Sequence, residues 1–537
     1  MPRQNAMKKN SPQPPPLRRR KSLLQLAAFL LAAAAAAGYL HLQSPNLPET
    51  DAFYHLHHAS LYVRHGLFMS EFPWVVASVI HKYSADIWYG FHLLLIPFTF
   101  LRDPIMQLKI AGIFFLTVAL LLFFISARRA GLSYPYLWPF LWLFSSGLVT
   151  RRLAMLRPHV LSTGLAALLF SFMLEGGIYG VFFISAATTF VHLSFFWLPV
   201  LVAFVVAAVK LGVERKFEWR KLVAMLAGLT VGWLLRPNPL GALKIINVQV
   251  FQLMSLKQSG QLRFARELYP VDPVSLFHTT PALLIIWLCF IFVFLISVSL
   301  RRPKLALSNR TFLWASFALS VIFFAMTLLI SLRSIDLWAP FALLFSAAGF
   351  DTFLLSKRAP HQQFLPATMR KVLTPVLLVI LAGMIWISLS WYRGFMFKAI
   401  EPQRLRAAGE WLKENTKPEA IVMNLDTDAY VELSFWGADN RFVLGMDTIF
   451  TYAYDQALFF KIANLMSARV PGYTWDTIRF DESRLTDAYP FLRRDLGASY
   501  IVMRTKYYPP LYDWAKHDPR FKLRFDREGI AIFQLTE

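Results

Sequence analysis

A single carboxylate, Asp51, opens the stretch of this chain that is richest in groups able to do chemistry. The stretch covers residues 49–66, ETDAFYHLHHASLYVRHG, and directly follows the first apolar segment. A helix over it would place five polar side chains on one face: Asp51, His55, His58, Tyr62 and His65. Apolar residues repeat on another face, so we expect this helix to lie on a bilayer with its polar face wet. Asp51 is then a candidate general base or metal ligand at the membrane surface.

Each of these residues also has a plainer interpretation. Asp51 can be a helix cap near the positive end of the helix dipole, with the histidines simply solvated. His55 and His58 have a spacing of i, i+3, which can ligate a metal ion, but histidines on a wet helix face usually do not. We therefore expect the His55–His58 pair not to bind metal.

Asp86 and His92 are two further candidates, in the sequence SADIWYGFH. They belong to the same predicted loop as Asp51 and lie close to the same membrane surface. Asp86 is a candidate for catalysis or metal binding, and His92 is a candidate for substrate binding. The alternatives are an interfacial cap for Asp86 and a surface anchor for His92.

The composition predicts a polytopic membrane protein with a soluble remainder, because 56% of the 537 residues are hydrophobic. The net charge of +23 does not require a nucleic-acid partner, since arginines and lysines flank the apolar segments, as cytoplasmic loops prefer. The single cysteine, Cys289, lies in an apolar run. The sequence therefore predicts neither a disulfide framework nor a cysteine-based metal site.

The membrane topology follows from the basic loops. Residues 1–22 form a basic, proline-rich tail, and loops 128–129, 210–221, 301–310 and 357–371 are also basic, so we place all of them on the cytoplasmic side. With the basic loops inside, the loop 43–104 lies outside only if the apolar run 87–101 does not cross the membrane. With about 15 residues it is too short to span, and we expect it to be interfacial or re-entrant.

Eleven transmembrane helices result within a membrane domain of residues 23–400. The predicted spans are 23–42, 105–126, 134–149, 160–174, 178–190, 195–209, 222–235, 282–300, 311–332, 337–355 and 372–391. Residues 237–281 form an outer connection between two of them. From residue 401 the composition changes to that of a soluble α/β domain, 401–537, on the outer side. It has a helix at 404–415 and strands at 420–424, 441–444, 499–503 and 530–535.

The pattern D-x-F-Y-H-L-x-x-A-x-x-x-x-x-H-G, from Asp51 to Gly66, resembles the catalytic subunit of oligosaccharyltransferases. That subunit belongs to the GT-C superfold of glycosyltransferases, which use polyprenyl-phosphate-linked sugars. The resemblance implies a GT-C-like membrane domain with a large first outer loop. It also implies that Asp51 serves catalysis and binds a divalent cation, magnesium or manganese. The acceptor motif WWDYG of asparagine glycosylation is absent, so we do not expect that acceptor.

The predicted second outer loop, residues 149–162, resembles the family's second loop, which has an arginine followed by an acidic pair. Here the basic residues are present as Arg151, Arg152, Arg157 and His159, but the acids are missing. Either the site is metal-independent, or Asp51 and Asp86 together hold the metal. Arginines suit a phosphate because the planar guanidinium can bond to two oxygens. Against this placement, the positive-inside rule would put these arginines in the cytoplasm.

Arg333 lies in SLRSIDLWAPFALLFSAAG, which resembles the family segment whose arginine holds a lipid-linked diphosphate at an outer helix end. The alternative role for Arg333 is a membrane-edge anchor. Together these features predict a cell-membrane glycosyltransferase that moves a sugar from a polyprenyl phosphate or diphosphate to a polysaccharide, lipid or protein. The alternative is an inactive partner of the same fold or a transporter. Transport is disfavoured because the acids nearest the spans, Glu175 and Asp351, lie near helix ends.

Overall fold

The structure is a computed structural model that describes residues 16–69, 71–260, 262, 264–299, 307–354, 367–437 and 439–536. Of the predicted basic tail, residues 1–15 lie outside the described residues, and the rest forms the start of the first helix. Most of the predicted loops 301–310 and 357–371 also lies outside them.

Helices make up nearly all of the membrane part. They are α1 (Pro16–Leu42), α2 (Asp51–His65), α3 (Val79–Tyr83), α4 (Tyr89–Leu95), α5 (Pro104–Arg129), α6 (Trp138–Leu143), α7 (Gly147–Leu153), α8 (Pro158–Glu175), α9 (Ile178–Val191), α10 (Trp197–Glu214), α11 (Trp219–Leu234), α12 (Pro239–Ile246), α13 (Leu253–Ser259), α14 (Pro273–Thr279), α15 (Pro281–Ser299), α16 (Leu307–Leu329), α17 (Ile335–Gly349) and α18 (Ala367–Phe397).

Eight segments among the described residues are long and apolar enough to cross a membrane, against the eleven spans expected. They are Leu23–Leu42, Pro104–Arg129, Pro158–Glu175, Leu193–Glu214, Pro239–Ser259, Pro281–Ser299, Asn309–Leu329 and Val379–Phe397. The other expected spans fall on shorter helices: α6 with α7, α9, α11 and α17. The apolar run 87–101, which we predicted not to cross the membrane, forms the short helix α4 followed by one 3₁₀ segment, Ile96–Phe100.

The expected continuous span over residues 134–149 is wrong, because the segment is broken into α6 and α7. Ser146 adopts an extended conformation, and its hydroxyl accepts a hydrogen bond from the Val149 amide at 3.1 Å, which starts a new helix. The chain nevertheless returns through the bundle here. Arg129 at the end of α5 donates to the Glu175 carbonyl at the end of α8, so α5 and α8 run in the same direction.

The connection after α11 is also more helical than expected. Pro239–Ser259 is α12 and α13 joined by a π-helical turn, Asn247–Gln252. Both of its ends contact the same end of the bundle. Asn238 donates to the Tyr83 carbonyl in the first loop, and Lys257 donates to the Ile330 carbonyl at the end of α16. The segment therefore runs along this end of the bundle, as a connection does.

Basic residues collect at the opposite end. Lys210 and Lys221 both bond to Glu218, at 2.9 and 2.8 Å, and they donate to carbonyls in the last turn of α8. Arg129 contacts the same turn. The predicted separation of these basic loops from the Asp51 end is therefore present in the fold.

The C-terminal part is an α/β unit, as predicted. Its helices are α19 (Arg406–Asn415), α20 (Thr427–Phe435), α21 (Thr448–Tyr454), α22 (Gln456–Ser467), α23 (Ala488–Pro490) and α24 (Pro509–His517). Its strands are β1 (Ile421–Asn424), β2 (Arg441–Phe442), β3 (Tyr473–Thr474), β4 (Thr486–Asp487), β5 (Tyr500–Arg504), β6 (Phe521–Arg527) and β7 (Ile530–Leu535). The main sheet has the order β2-β1-β5-β7-β6, with β1 parallel to β2 and β5 and with β7 antiparallel to its neighbours.

The first loop is joined to this sheet. The Phe442 amide donates to the Trp74 carbonyl, and the Val76 amide donates back to the Phe442 carbonyl, both at 2.8 Å. Residues of the loop thus pair along the edge strand β2. α2 is held by the same unit, since the Phe53 ring lies 4.9 Å from the Phe435 ring. The C-terminal unit therefore fixes the position of the helix that begins at Asp51.

Candidate functional site

α2 forms as the sequence predicts, but its surroundings differ from the expectation. His55, His57 and His58 are buried, whereas we expected the polar face of this helix to be wet. The cause is tertiary packing: α4 covers one side of α2 and α20 covers another. The expectation of solvated histidines is therefore wrong for His55 and His58, whereas His65, on the same predicted face, is exposed. Asp51, by contrast, keeps 26% of its side chain exposed.

Asp51 takes part in an ion pair. It is the first residue of α2, and its carboxylate lies 2.9 Å from an Nη atom of Arg157. Thr50 precedes it in the capping position, without a side-chain capping bond. The ion pair therefore gives Asp51 a defined partner beyond the helix-cap alternative.

Three arginines and four carboxyls meet around this pair; we call this group the arginine cluster. Its members are Glu49, Asp51, Arg152, Arg157, Glu267, Arg333 and Asp336. They come from the first loop, α7, the start of α8, the loop before α14 and the segment around the start of α17. Residues far apart in the sequence thus converge at one end of the bundle.

Glu49 supports Asp51 from within the cluster. Its carboxyl accepts from the Arg157 Nε at 2.9 Å and from the Asp51 amide at 2.7 Å. Burial raises the pKa of Glu49 to about 7, against the opposing effect of Arg157 and with a further increase from Asp51. Glu49 therefore orients both Arg157 and the first turn of α2.

Asp336 supplies an acid where the second loop lacks one. Arg152 bonds to both carboxylate oxygens of Asp336, at 2.5 and 2.7 Å. His159 lies 3.7 Å from the same carboxylate, and its Nε2 is 3.2 Å from the Arg152 carbonyl. We did not single out Asp336 from the sequence. Its position three residues after Arg333, at the start of a helix, is the signal that could have identified it.

Glu267 lies at the centre of the arginine cluster. One oxygen accepts from Arg152 at 2.7 Å, and the other accepts from Arg333 at 2.9 Å and from Arg157 at 3.3 Å. Burial alone would raise the pKa of Glu267, but Arg333, Arg152 and Arg157 outweigh it and hold this pKa well below its usual range. Arg333, a predicted phosphate ligand, thus joins the group that contains Asp51.

Arg151 is not brought into direct contact with these carboxyls among the described residues. Its guanidinium lies over the Phe395 ring at 4.2 Å, a cation–π contact. Of the predicted substrate-binding residues, Arg152, Arg157 and Arg333 belong to the arginine cluster, and His159 borders it.

Asp86 and His92 belong to a second group, further along α2, which we call the histidine–aspartate cluster. His92 Nδ1 lies 2.6 Å from the Asp86 carboxylate, and the Tyr62 hydroxyl donates to that carboxylate at 3.0 Å. His55 Nδ1 is 2.9 Å from His92 Nε2. His58 Nε2 is 3.6 Å from Asp86 and has no hydrogen-bond partner among the described residues. All these side chains are buried.

Burial and close neighbours together determine the pKa values of the residues in the histidine–aspartate cluster. Burial would raise the pKa of Asp86, but His92, His58 and the Trp88 amide outweigh it and hold this pKa below its usual range. Burial, aided by His92, lowers the pKa of His58 to about 3. His58 is therefore neutral at physiological pH.

The divalent cation implied by the resemblance can be tested against both groups. Next to Asp51, a cation would meet the guanidinium of Arg157, so like charges oppose binding there. His58, Asp86 and His92 each offer a ligand atom, and these atoms lie within 4.8 Å of one another. Imidazole and carboxylate are ligands that zinc prefers. The donors for a cation thus lie in the histidine–aspartate cluster, and they include His58, which we had expected not to bind metal.

The C-terminal unit adds two acids near Asp51. Burial, with a contribution from Asp51, raises the pKa of Asp428, which lies in α20. Burial also raises the pKa of Asp447, which is influenced by both Arg333 and Asp51. The arginine cluster therefore faces the C-terminal unit.

Comparison with solved structures gives a protein of the same architecture. ArnT from Cupriavidus metallidurans bound to undecaprenyl phosphate is 11% identical, with a TM-score of 0.53, and the match covers 95% of this chain and 98% of that chain. The same protein in the apo state is 12% identical, with a TM-score of 0.52 and the same coverage. No family model and no curated protein matches the chain. The likeness shows that this chain shares the overall membrane fold of ArnT, in agreement with the GT-C-like fold class predicted from the sequence.

Proposed function

We propose that this protein is a membrane glycosyltransferase that moves a sugar from a polyprenyl phosphate or diphosphate to an acceptor on the outer side of a cell membrane. The observation that carries this proposal is the pairing of a partly exposed Asp51 with Arg157 at 2.9 Å, inside a cluster of three arginines. The GT-C fold and the undecaprenyl phosphate bound to ArnT support it.

Asp51 is suited to the role of general base. Its side chain is 26% exposed, against 4% for Glu49 and 7% for Asp336, so it is the acid of these three that an acceptor can reach. In the proposed step Asp51 takes the proton of an acceptor hydroxyl. The acceptor oxygen bonds to the anomeric carbon of the sugar, and the bond from that carbon to the phosphate oxygen breaks.

Arg152, Arg157 and Arg333 are suited to hold the phosphate that leaves. Each presents a planar guanidinium, and the negative charge that develops on the departing phosphate oxygen is stabilised by fixed positive groups. A divalent cation, where the protein takes one up, would be held by His58, Asp86 and His92 and not by Asp51. Its contribution would be to the structure of the first loop.

The test is Asp51→Asn, which keeps the side-chain volume but removes the negative charge. We expect turnover of a labelled polyprenyl-linked sugar pool to fall roughly 100- to 10,000-fold, the usual contribution of general acid–base catalysis. The melting temperature should stay close to that of the wild type, because the Asn side-chain oxygen can still accept a hydrogen bond from Arg157.

Asp439→Asn is the matched control, because Asp439 pairs with Arg64 at 2.7 Å outside the arginine cluster. This variant should turn over like the wild type. Equal turnover of Asp51→Asn and the wild type would remove Asp51 from the role of general base, whereas no turnover by the wild type would leave the interpretation of an inactive partner with the GT-C fold. Transport gains no support from the acids considered for it, since Glu175 ends α8 and Asp351 accepts a bond from the Ser133 amide.

A further inference from the structure

One carboxylate of the arginine cluster differs from the others in how many arginines it contacts. Glu267 bonds to Arg152, Arg157 and Arg333 together. Among the arginines that the structure describes, Glu49 and Asp51 each bond to Arg157 alone, and Asp336 bonds to Arg152 alone. The point where the three guanidinium groups converge is therefore occupied by the carboxylate of Glu267.

An anionic ligand that contacts all three arginines has to use that same point. Among the described residues, the three guanidinium groups of the cluster face four carboxyls in direct contact, so each of these three positive charges already has an acidic partner. A phosphate placed beside Glu267 would meet a like charge in a partly buried site, where repulsion is strong. Phosphate and the Glu267 carboxylate therefore cannot share the cluster.

We propose that Glu267 is an internal competitor that occupies the phosphate subsite formed by Arg152, Arg157 and Arg333, and that the phosphate group of the lipid donor binds by displacing its side chain. This inference rests on the proposed function for the identity of the ligand. The underlying chemistry, an arginine-lined subsite for a phosphate group, is shared by a lipid phosphate and by free phosphate.

Of Glu49, Glu267 and Asp336, Glu267 is the carboxylate best placed to move aside. Its backbone carbonyl accepts from the Ser331 hydroxyl at 2.9 Å, so the main chain can stay in place while the side chain rotates. The side chain is 21% exposed, so a route toward solvent exists, whereas Glu49 and Asp336 are enclosed at 4% and 7%. The arginines hold the pKa of Glu267 well below its usual range, so it remains an anion and keeps competing at neutral pH.

The competition has a functional consequence after transfer. The leaving group is a lipid phosphate, which carries about −1.5 to −2 charges near pH 7 and binds arginine strongly. An unopposed set of three arginines would retain this product. The return of the Glu267 carboxylate offers the arginines an alternative partner, so that the product is released and the site is restored.

The experiment compares Glu267→Gln with Glu218→Gln, in full-length protein in nanodiscs. Glu218 is a matched control because it bonds to two cations, Lys210 and Lys221, at the opposite end of the bundle. The probes are undecaprenyl phosphate and inorganic phosphate, measured by direct binding and by ligand-induced change in melting temperature. Glu267→Asp, which keeps the charge on a shorter side chain, provides a second variant in case Glu267→Gln folds poorly.

We expect Glu267→Gln to bind undecaprenyl phosphate roughly 10- to 100-fold more tightly than the wild type, the factor equivalent to one charge-assisted hydrogen bond. Glu218→Gln should bind undecaprenyl phosphate like the wild type, and the affinity of Glu267→Asp should lie between those of the wild type and Glu267→Gln. Without ligand, Glu267→Gln should melt at a lower temperature, and phosphate should restore it. If Glu267 only formed a structural ion pair, Glu267→Gln would melt at a lower temperature and phosphate would not raise that temperature again.

Equal or weaker lipid binding by Glu267→Gln would overturn the competitor role while leaving the proposed function standing, provided that the wild type binds undecaprenyl phosphate. If Glu267→Gln gains affinity for inorganic phosphate but neither form binds the lipid, the anion subsite stands and the proposed function fails. Absence of binding to either probe in every form would overturn both.

Discussion

The arginine cluster and the histidine–aspartate cluster both take residues from α2, and they treat charge in different ways. In the arginine cluster every one of the three guanidinium groups has a carboxylate partner, and several of the side chains reach solvent. In the histidine–aspartate cluster the carboxylate of Asp86 is enclosed among buried aromatic and histidine rings, and one nitrogen, on His58, has no hydrogen-bond partner among the described residues.

The difference indicates what each cluster can bind. The arginine cluster can take up an anion only by giving up one of its own carboxylates, and Glu267 is placed to leave. The histidine–aspartate cluster can take up a cation without losing a carboxylate, because His58 Nε2 has no hydrogen-bond partner in the described part of the chain. We therefore expect substitutions in the first cluster to change turnover and substitutions in the second to change stability.

The largest effect that would test this division is expected for Arg157→Gln. Arg157 bonds to Glu49, Asp51 and Glu267, so its loss removes the group that links the base to the phosphate subsite. Turnover should fall roughly 100- to 1,000-fold, as when one preorganised charge-stabilising donor is lost. Arg64→Gln, outside the cluster, is the control. Near-normal turnover of Arg157→Gln would show that the cluster is only structural.

Asp86→Asn should lower the stability of the protein and leave its turnover almost unchanged. The Asn side chain keeps the shape but weakens the charge-assisted bonds from His92 and Tyr62, at a cost of roughly 2 kcal/mol in the free energy of unfolding. Turnover per folded molecule should stay within about threefold of the wild type. The measurement pairs melting curves with turnover corrected for the folded fraction. If stability is kept while turnover collapses, Asp86 belongs to the chemistry and the two clusters are not distinct in role.

A smaller effect is expected at Arg333, because 43% of its side chain is exposed and solvent screens its charge. Arg333→Ala should weaken undecaprenyl phosphate binding roughly 10-fold, and Arg333→Lys should recover part of the loss, since lysine supplies charge without the two-pronged geometry. The affinity is measured in nanodiscs. An unchanged affinity in both variants would return Arg333 to the role of a membrane-edge anchor.

The elements that carry the site could be predicted from the sequence. Periodicity and the family pattern gave α2 and the large first loop, and the basic loops placed Asp51 and Lys210 at opposite ends of the bundle. Composition alone separated the α/β unit from the membrane part. These are local signals, carried by residues within a few turns of one another.

The partners of each group could not be predicted, because they depend on contacts between distant segments. Asp336 is 184 residues from Arg152, and Glu267 is 110 residues from Arg157, so no spacing rule connects them. The burial of the α2 histidines has the same origin. An amphipathic helix with a polar face looks wet in sequence, and only the packing of α4 and α20 removes the water.

The smallest effect concerns His58 and a cation. His58→Gln removes no hydrogen bond at Nε2, so the variant should lose mainly the stacking of His58 on His92, at a ring distance of 4.3 Å, worth less than about 1 kcal/mol. His58, Asp86 and His92 offer nitrogen and carboxylate ligands, so zinc at about five times its Kd should stabilise the chelator-treated wild type by roughly 1 kcal/mol. The His58→Gln variant should not respond, because one of its three ligands is missing. Melting temperature is the measurement, and zinc content of the purified protein is a second one. Identical responses of the two forms would mean that the unused His58 nitrogen is not a ligand, and the contrast between the two clusters would then rest on burial alone.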